Sequence, residues 1–403
     1  MDINFKKKLD LIILAGGEGS RIKKFTKRFP KPLLKFDNRP LLQYIINYYV
    51  KFNFNKIFIL AGYKGDQIHK KYNNKIINLI NIKVIVEKKP LDTLGAVLNI
   101  KKIIHNDFIL VNGDTVIDFN LENLINVRSQ KQMSIVLNRN INYKKNKKLN
   151  NITVDKNSNV IFSKKNNFMS GGVYFINRSL LNQKIKKVSI ENNLIPKLIQ
   201  NKQINGIINN KKFFVDIGTY DNLRKAKIMI PKFFRKPAVF FDRDGVINYD
   251  YGHVYKYKDF KFKKGILKVL KFLSEKKIYI FIVTNQAGIG KGYYTISDFL
   301  KLHRKIKKTL CNKNIYIHDI KFSPYHPNAK ILEYKKNSKL RKPGNLMIER
   351  IFSEWNLIRN KSFMIGDSLS DKLAARKSNL YFEYPERNFF DQIKRIFRKK
   401  NIQ

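Results

Sequence analysis

The apolar run Ala238-Val239-Phe240-Phe241 ends abruptly in two carboxylates, Asp242 and Asp244, within FFDRDGVIN (Phe240–Asn248), and no other stretch constrains the second half of the chain as much. Such a run reads as a parallel strand buried on both faces, and its C-terminal end delivers the acids to a loop. Crevices at such strand ends are where α/β sheets hold ligands. On a loop, two carboxylates two residues apart can divide labour, one attacking a phosphoryl group and the other moving protons. The pair alone fits a calcium-binding or turn motif equally well; the sequel decides. Val283-Thr284-Asn285-Gln286-Ala287-Gly288-Ile289-Gly290-Lys291-Gly292, then Arg341-Lys342-Pro343, then Ile365-Gly366-Asp367-Ser368-Leu369-Ser370-Asp371 add a hydroxyl, an ammonium and a metal-ligating carboxylate. That set serves phosphoryl transfer from a phosphomonoester.

With these motifs the second half resembles the haloacid dehalogenase superfamily of phosphatases, in its histidinol-phosphate and heptose-bisphosphate branch; DRDGVIN followed by VTNQAGIGKG carries the branch. The resemblance implies Asp242 as the nucleophile that becomes an aspartyl phosphate and Asp244 as general acid and base. It also implies phosphate binding by Thr284, Asn285, Lys291, Arg341 and Lys342. Mg²⁺ would be held by Asp242, Asp244 (through its backbone carbonyl) and Asp367, with Asp371 supporting the metal shell or Lys342. Members of this branch commonly carry a Cys-rich zinc loop, but here those positions read Ser323, Tyr325, Ser338 and Leu340, so no zinc is expected. His326, alone among Tyr and Pro, is read as structural. Packing or a partner must order that loop.

At 403 residues the chain exceeds one ordinary core, and 43% hydrophobic content suffices for two domains. The net charge of +52 would point to nucleic acid or an anionic membrane, but the lysines are spread along the whole chain as a composition bias rather than a localised patch, and a basic surface also suits anionic sugar phosphates and nucleotides. The single cysteine, Cys311, excludes an intrachain disulfide and a Cys-rich metal site. The apolar run Leu9–Ala15 is too short for a signal or membrane segment, so a cytoplasmic protein is expected.

In the first half, Leu11–Ala15 reads as a buried strand entering Gly16-Gly17-Glu18-Gly19-Ser20-Arg21, where backbone N–H groups can approach a triphosphate and Arg21 adds a charged fork. Prolines on both sides of Lys31 should hold it in an extended segment. Further strands are expected at Lys56–Leu60, Ile82–Val86 and Phe108–Val111, with a helix at Leu41–Phe52, giving a mostly parallel three-layer α/β domain.

Gly-Gly-x-Gly-x-Arg followed by Pro-Lys-Pro-Leu-Leu (Pro30–Leu34) resembles the sugar-phosphate nucleotidyltransferase family across residues 8–228. The resemblance implies catalytic roles for Arg21 and Lys31, and phosphate or nucleoside contacts at Gly16, Gly17, Gly19, Thr93 and Gly95. Pro90–Ala96 differs from the family's Pro-Leu-Gly-Thr-Ala-Gly-Ala loop at Asp92 and Leu94, which leaves the base open. A sugar loop is implied at Gly172, with Ser170 where Asn is usual, and a sugar-phosphate contact at Lys165, where Lys164 replaces the usual Glu. Mg²⁺ would be held by Asp114, at the end of an apolar strand, and Asp216.

The expected whole is two three-layer α/β/α domains: a Rossmann-like nucleotidyltransferase over residues 1–230, a linker at 231–237, and a Rossmannoid phosphatase with a minimal cap over 238–403, the halves separable at the linker. No hexapeptide-repeat tail follows the first domain, so no acyltransferase is expected. By resemblance the enzyme removes the 7-phosphate of D-glycero-D-manno-heptose 1,7-bisphosphate and couples the 1-phosphate to a nucleotide, taken as GMP from GTP, for lipopolysaccharide or capsule assembly. A histidinol-phosphate-type phosphatase, a nucleic-acid end-processing enzyme and a half kept only for regulation are the alternatives. No nucleic acid or membrane insertion is expected, and oligomerisation is left open.

Overall fold

The computed structural model describes residues 8–126, 131–139, 152–163, 168–182, 189–211 and 213–402. In the first domain a ten-stranded sheet is built around four parallel strands, in the spatial order Ile80–Val86, Lys56–Ala61, Leu9–Ala15, Asp107–Asn112. All four are β-branched and aliphatic runs that bury one or both faces against helices. In chain order this is 3-2-1-4, so the direction of winding reverses at Leu9–Ala15, and the loops after the first and fourth strands part there to leave a crevice. The strand Phe168–Ile176 adds antiparallel beyond Asp107–Asn112, with a register shift between Ser170 and Tyr174.

The second domain repeats the plan with a five-stranded, all-parallel sheet: Asp319–Ser323, Tyr279–Asn285, Ala238–Phe241, Phe363–Ile365, Tyr381–Glu383. Its first strand, Ala238–Phe241, again lies at the reversal, and all four residues are buried. Between Asp244 and the helix Ile266–Glu275 the only regular element is a single 3-10 turn, Tyr257–Asp259, which fits a minimal cap. Among the described residues no helix is long and apolar enough to cross a membrane.

The expected linker is not a tether. The helix Tyr220–Phe234 runs through Pro231, and Lys236 bonds into the second domain at once: its N–H donates to Asn356 O (3.2 Å) and its O accepts from Ile358 N (2.9 Å). One buried cluster joins Leu41, Tyr44 and Phe234 to Phe240, Phe281 and Trp355 across the boundary. A hairpin fastens the joint further. Asn78 and Leu79 link Ile76–Ile77 to Ile80–Val86 with φ of 43° and 67°, the two positive values of a type I′ turn. Leu79 enters the second domain's core, and Asn78 Nδ2 donates to Val50 O (2.8 Å) and to Ile317 O (2.7 Å).

Candidate functional sites

In the first crevice, the ends of Leu9–Ala15 and Asp107–Asn112 open onto a cavity of about 640 Å³, lined by Gly16, Gly17, Lys31, Thr93 and Asp114 among others. Lys31 Nζ lies 3.2 Å from Asp114 Oδ2. Asp216 is brought alongside because its strand, Phe214–Asp216, pairs antiparallel with Thr115–Ile117. The Thr115 hydroxyl is 3.2 Å from Asp114 Oδ1 and 3.4 Å from Asp216 Oδ2, and Gly218 N–H donates to Asp216 Oδ1 at 2.8 Å. Burial raises the Asp216 carboxyl above its usual range, and the charge of Asp114 adds to this. Two adjoining carboxylates, bridged by the Thr115 hydroxyl, are a donor set for a divalent cation.

Lys31 is not extended, as the flanking prolines suggested: it opens a 3-10 turn, Lys31–Leu33, after an extended Pro30. The turn places its stem against Gly19, whose φ is 70°; a Cβ there would come within 2.8 Å of Lys31 Cε. Gly19 is therefore needed for the turn and for room around Lys31. Arg21 is exposed on the 3-10 turn Ser20–Ile22, and neither it nor Gly19 lines the cavity. Gly95 is buried inside the helix Asp92–Asn99, where it packs and does not face the cavity. Asp92 has φ of 55°, a left-handed conformation that Asp adopts more readily than most residues. Gly172, with φ of 70°, sits at the register shift of its strand against Asn112. Lys164 and Lys165 lie outside the described residues.

Two carboxylates here were missed in the sequence. Glu87 lines the cavity, and burial raises its pKa. It follows directly on the strand Ile80–Val86, so the strand-end rule that picked out Asp114 also points to it. Glu191 accepts from the Tyr174 hydroxyl (2.9 Å) and from the Thr93 hydroxyl (3.4 Å), and Thr93 Oγ1 accepts from Ile190 N (2.8 Å). No local pattern marks Glu191, which folding brings to Thr93 from far along the chain.

In the second crevice, Asp242 stands at the end of the central strand with its N–H on Ile365 O (3.0 Å). Lys342 Nζ lies 2.8 Å from Asp242 Oδ1 and 2.6 Å from Asp371 Oδ1, and donates to Val283 O (2.9 Å); Lys342 is 2% exposed and Asp371 fully buried. Burial pushes the Asp242 carboxyl up and Asp371 adds to it, against the pull of the Lys342 ammonium. Asp242, Asp367 and Asp371 each offer an oxygen within 4.8 Å of the others, the one such metal-capable group of three among the described residues. Gly245, φ 75°, lies where a Cβ would overlap the Asp367 carboxylate, which leaves the acids free to converge. These residues fit a divalent cation.

The Asp244 side chain is not in that group. Arg243 clamps it with Nε (3.0 Å) and Nη2 (2.7 Å), and Asn248 and Gln286 each donate at 3.0 Å. Burial works to raise its pKa, but the Arg243 charge and these donors win and hold it below the usual carboxylate range. Arg243, Gln286 and Tyr294 were missed as site residues. Gln286 joins Asp244 to the Thr284 hydroxyl (2.8 Å), and its own carbonyl accepts from Tyr294 (2.7 Å). Asn285 pairs its amide with the backbone of Lys342 in both directions, each 3.0 Å, and so positions that lysine. Lys291 and Arg341 are half-buried; Arg341 reaches Tyr325 O at 3.4 Å.

The loop bearing the replaced zinc positions is ordered by its own bonds and rings. His326 Nδ1 accepts from Asn328 N (3.0 Å), His326 N donates to Tyr334 O (3.1 Å), and Tyr325 meets Tyr334 edge-on at 6.0 Å.

Residues 11–232 match the Nucleotidyl transferase family model, and residues 237–397 match the model named Polynucleotide kinase 3 phosphatase. The D-glycero-beta-D-manno-heptose-1,7-bisphosphate 7-phosphatase of Yersinia pestis is 33% identical over 144 residues, 36% of this chain and 77% of that protein. The D-glycero-alpha-D-manno-heptose-1,7-bisphosphate 7-phosphatase of Campylobacter jejuni is 34% identical over 177 residues, 41% of this chain and 98% of that protein. Among solved structures, HddC from Yersinia pseudotuberculosis aligns over 54% of this chain and 98% of its own length, at 24% identity and a TM-score of 0.46.

Proposed function

This chain belongs to the nucleotidyl transferase family and, through its C-terminal part, to the family of heptose-bisphosphate 7-phosphatases, and from that premise we propose that it performs two successive steps on one sugar. Residues 238–403 hydrolyse the 7-phosphate of D-glycero-D-manno-heptose 1,7-bisphosphate. Residues 1–230 then transfer a nucleotidyl group, GMP from GTP, to the heptose 1-phosphate and release pyrophosphate. The observation that carries the reading is that one chain holds two separate carboxylate centres, Asp242 with Lys342 and Asp114 with Asp216, each at the switch point of its own sheet.

In the phosphatase crevice an Asp242 oxygen attacks phosphorus as the bond to the sugar oxygen breaks. Lys342, beside Asp242, offsets charge on the phosphoryl oxygens, and Thr284, held by Gln286, donates to them. Asp244 gives the departing sugar oxygen its proton, then takes one from the water that cleaves the aspartyl phosphate and restores the Asp242 carboxylate. The Arg243 clamp favours the ionised form needed for the second half; a dianionic substrate raises the carboxyl for the first. In the other crevice Lys31 offsets charge on the triphosphate, while the cavity aligns the sugar phosphate with the α-phosphorus. Mg²⁺, held by Asp242 and Asp367 with the Asp244 carbonyl in one site and by Asp114 and Asp216 in the other, would supply charge neutralisation.

Product analysis with heptose 1,7-bisphosphate and each of the four nucleoside triphosphates tests the reading. A nucleotide heptose made from one triphosphate alone supports it. Phosphate release from a 3′-phosphorylated oligonucleotide, with no release from the sugar, would replace it by the end-processing alternative.

A further inference from the structure

Where the two domains meet, a cavity of about 330 Å³ opens between the C-terminal end of the helix Leu41–Tyr49, the connection after Phe234 and the helix Ile266–Glu275. Lysines line it from every side: Lys51 and Lys211 from the first domain, Lys236 from the connection, Lys271 and Lys277 from the second. Two of these are neutralised, Lys211 by Asp118 at 3.3 Å and Lys271 by Glu275 at 3.6 Å. The remaining acid, Glu122, accepts a 2.7 Å hydrogen bond from the Tyr316 hydroxyl.

Lys51, Lys236 and Lys277 therefore have no carboxylate partner among the described residues. The Lys51 ammonium faces the rings of Tyr48, Phe52 and Tyr316 at 4.4, 5.0 and 5.8 Å, and that of Lys236 faces Phe233 and Tyr279 at 5.4 and 5.5 Å. Burial lowers Lys51 to about 7 and Lys236 to about 8, and the lysines push one another the same way, against the weaker pull of Asp118, which is already paired with Lys211. The one imidazole in the wall, His318, is buried and accepts from Ile280 N at 3.0 Å; burial holds it far below its ordinary pKa, so it stays neutral. Ring faces attract cations but do not cancel mutual repulsion in a half-buried cluster. A multivalent anion would.

We propose that this joint is a binding site for a small phosphoryl anion, inorganic phosphate or pyrophosphate, held by Lys51, Lys236 and Lys277. A tetrahedral dianion offers acceptors in several directions at once, matching ammoniums that approach from three elements. Because one lysine belongs to each domain and one to the connection, the bound anion ties the domains together. Binding here is independent of which sugar the enzyme uses; only the choice of these two anions follows from the proposed reactions, which release one each.

The test is calorimetric titration of the intact chain with pyrophosphate and, separately, with phosphate, in chelator to suppress metal-dependent binding in the crevices, at ionic strength fixed with chloride. The expected result is that Lys51→Gln/Lys236→Gln weakens binding by roughly tenfold or more, as loss of charge-assisted donors does, while both activities assayed without added anion are unchanged. Lys277→Gln, at an exposed side chain, weakens it too, which guards against misfolding of the double variant. Proton uptake supplies an independent readout. At pH 8 binding takes up protons as Lys51 and Lys236 are charged, in addition to any proton the anion itself exchanges, so the heat varies with the ionisation enthalpy of the buffer differently in the unmodified protein and in Lys51→Gln/Lys236→Gln. Whichever of the two titrations shows the effect identifies the anion. Isotherms identical in wild type and variants, or the same buffer dependence at pH 8 in both, overturn the proposal, and neither outcome bears on the two activities.

Discussion

The two crevices share a plan and differ in where their charge comes from. Both lie where a 3-2-1-4 strand order reverses, and both carry an acid just beyond the end of a parallel strand. In the first, Lys31 and Asp114 keep side-chain exposures of 14% and 30%, beside glycine backbone in a wide cavity. In the second, Lys342 and Asp371 are 2% and 0% exposed, Lys342 is paired with Asp242 and Asp371, and Asp244 is paired with Arg243 inside the protein. A triphosphate is large and brings its own charge, so an open, backbone-lined mouth serves it. A phosphomonoester has one small group to offer, and fixed, desolvated partners act on it most strongly.

Breaking one crevice should therefore leave the other intact, and this is the largest effect expected. Asp242→Asn should reduce phosphate release about a thousandfold or more, as loss of a nucleophile does, and spare nucleotidyl transfer to a sugar 1-phosphate. Asp114→Asn should do the reverse. If either single change removes both activities in folded protein, the two-site comparison is wrong.

The next effect concerns the joint. The sequence suggested separable halves, but a cut at residues 235–236 exposes the shared cluster of Leu41, Tyr44, Phe240, Phe281 and Trp355. Separate fragments should be aggregation-prone or unfolded by circular dichroism, and mixing or coexpressing them should recover folded material. Two independently folded, active fragments would restore the modular view.

Much of the site was legible because strand ends are legible: Asp114, Asp242 and Thr284 each follow or end an apolar run. The Asp92 departure left the base open in the sequence, and the structure gives Asp92 a φ of 55°, a conformation Asp tolerates better than most residues. What stayed hidden depends on contacts distant in sequence. The Arg243 clamp on Asp244 was in view as residues but not as geometry, since a neighbouring arginine is as free to point to solvent. Glu191 meets Thr93 across 98 positions. The Asn78-Leu79 turn signals a hairpin only weakly, because leucine is a poor left-handed residue; burial in the other domain compensates.

That turn sharpens the comparison of domains that work separately but fold together. Asn78→Gly keeps the left-handed backbone and loses only the two side-chain hydrogen bonds to Val50 O and Ile317 O. The expected cost is about 1–3 kcal/mol, read as a lower denaturation midpoint with both activities retained under native conditions. An unchanged midpoint would show that these two hydrogen bonds add nothing to the hold of the joint.

The smallest effect is a pH slope at the same place. Lys307 is buried against this turn, donating to Val50 O at 2.6 Å and to Asn78 O at 3.1 Å, and burial lowers its pKa to about 8. An unfolded lysine titrates near its ordinary value, so between the two pKa values the unfolded chain holds the extra proton and stability rises with pH. Lys51 and Lys236, lowered to about 7 and about 8, act in the same direction. The melting temperature of the intact chain should therefore climb modestly from pH 7 to pH 9, below the range where the tyrosines ionise. Lys307→Met removes one contributor and should make that climb shallower, while leaving its sign to the other two lysines. A melting temperature that falls over this interval would mean that these three ammoniums together gain more from the carbonyls and rings they face than they lose by leaving water, and the joint would then be held by their charge rather than in spite of it.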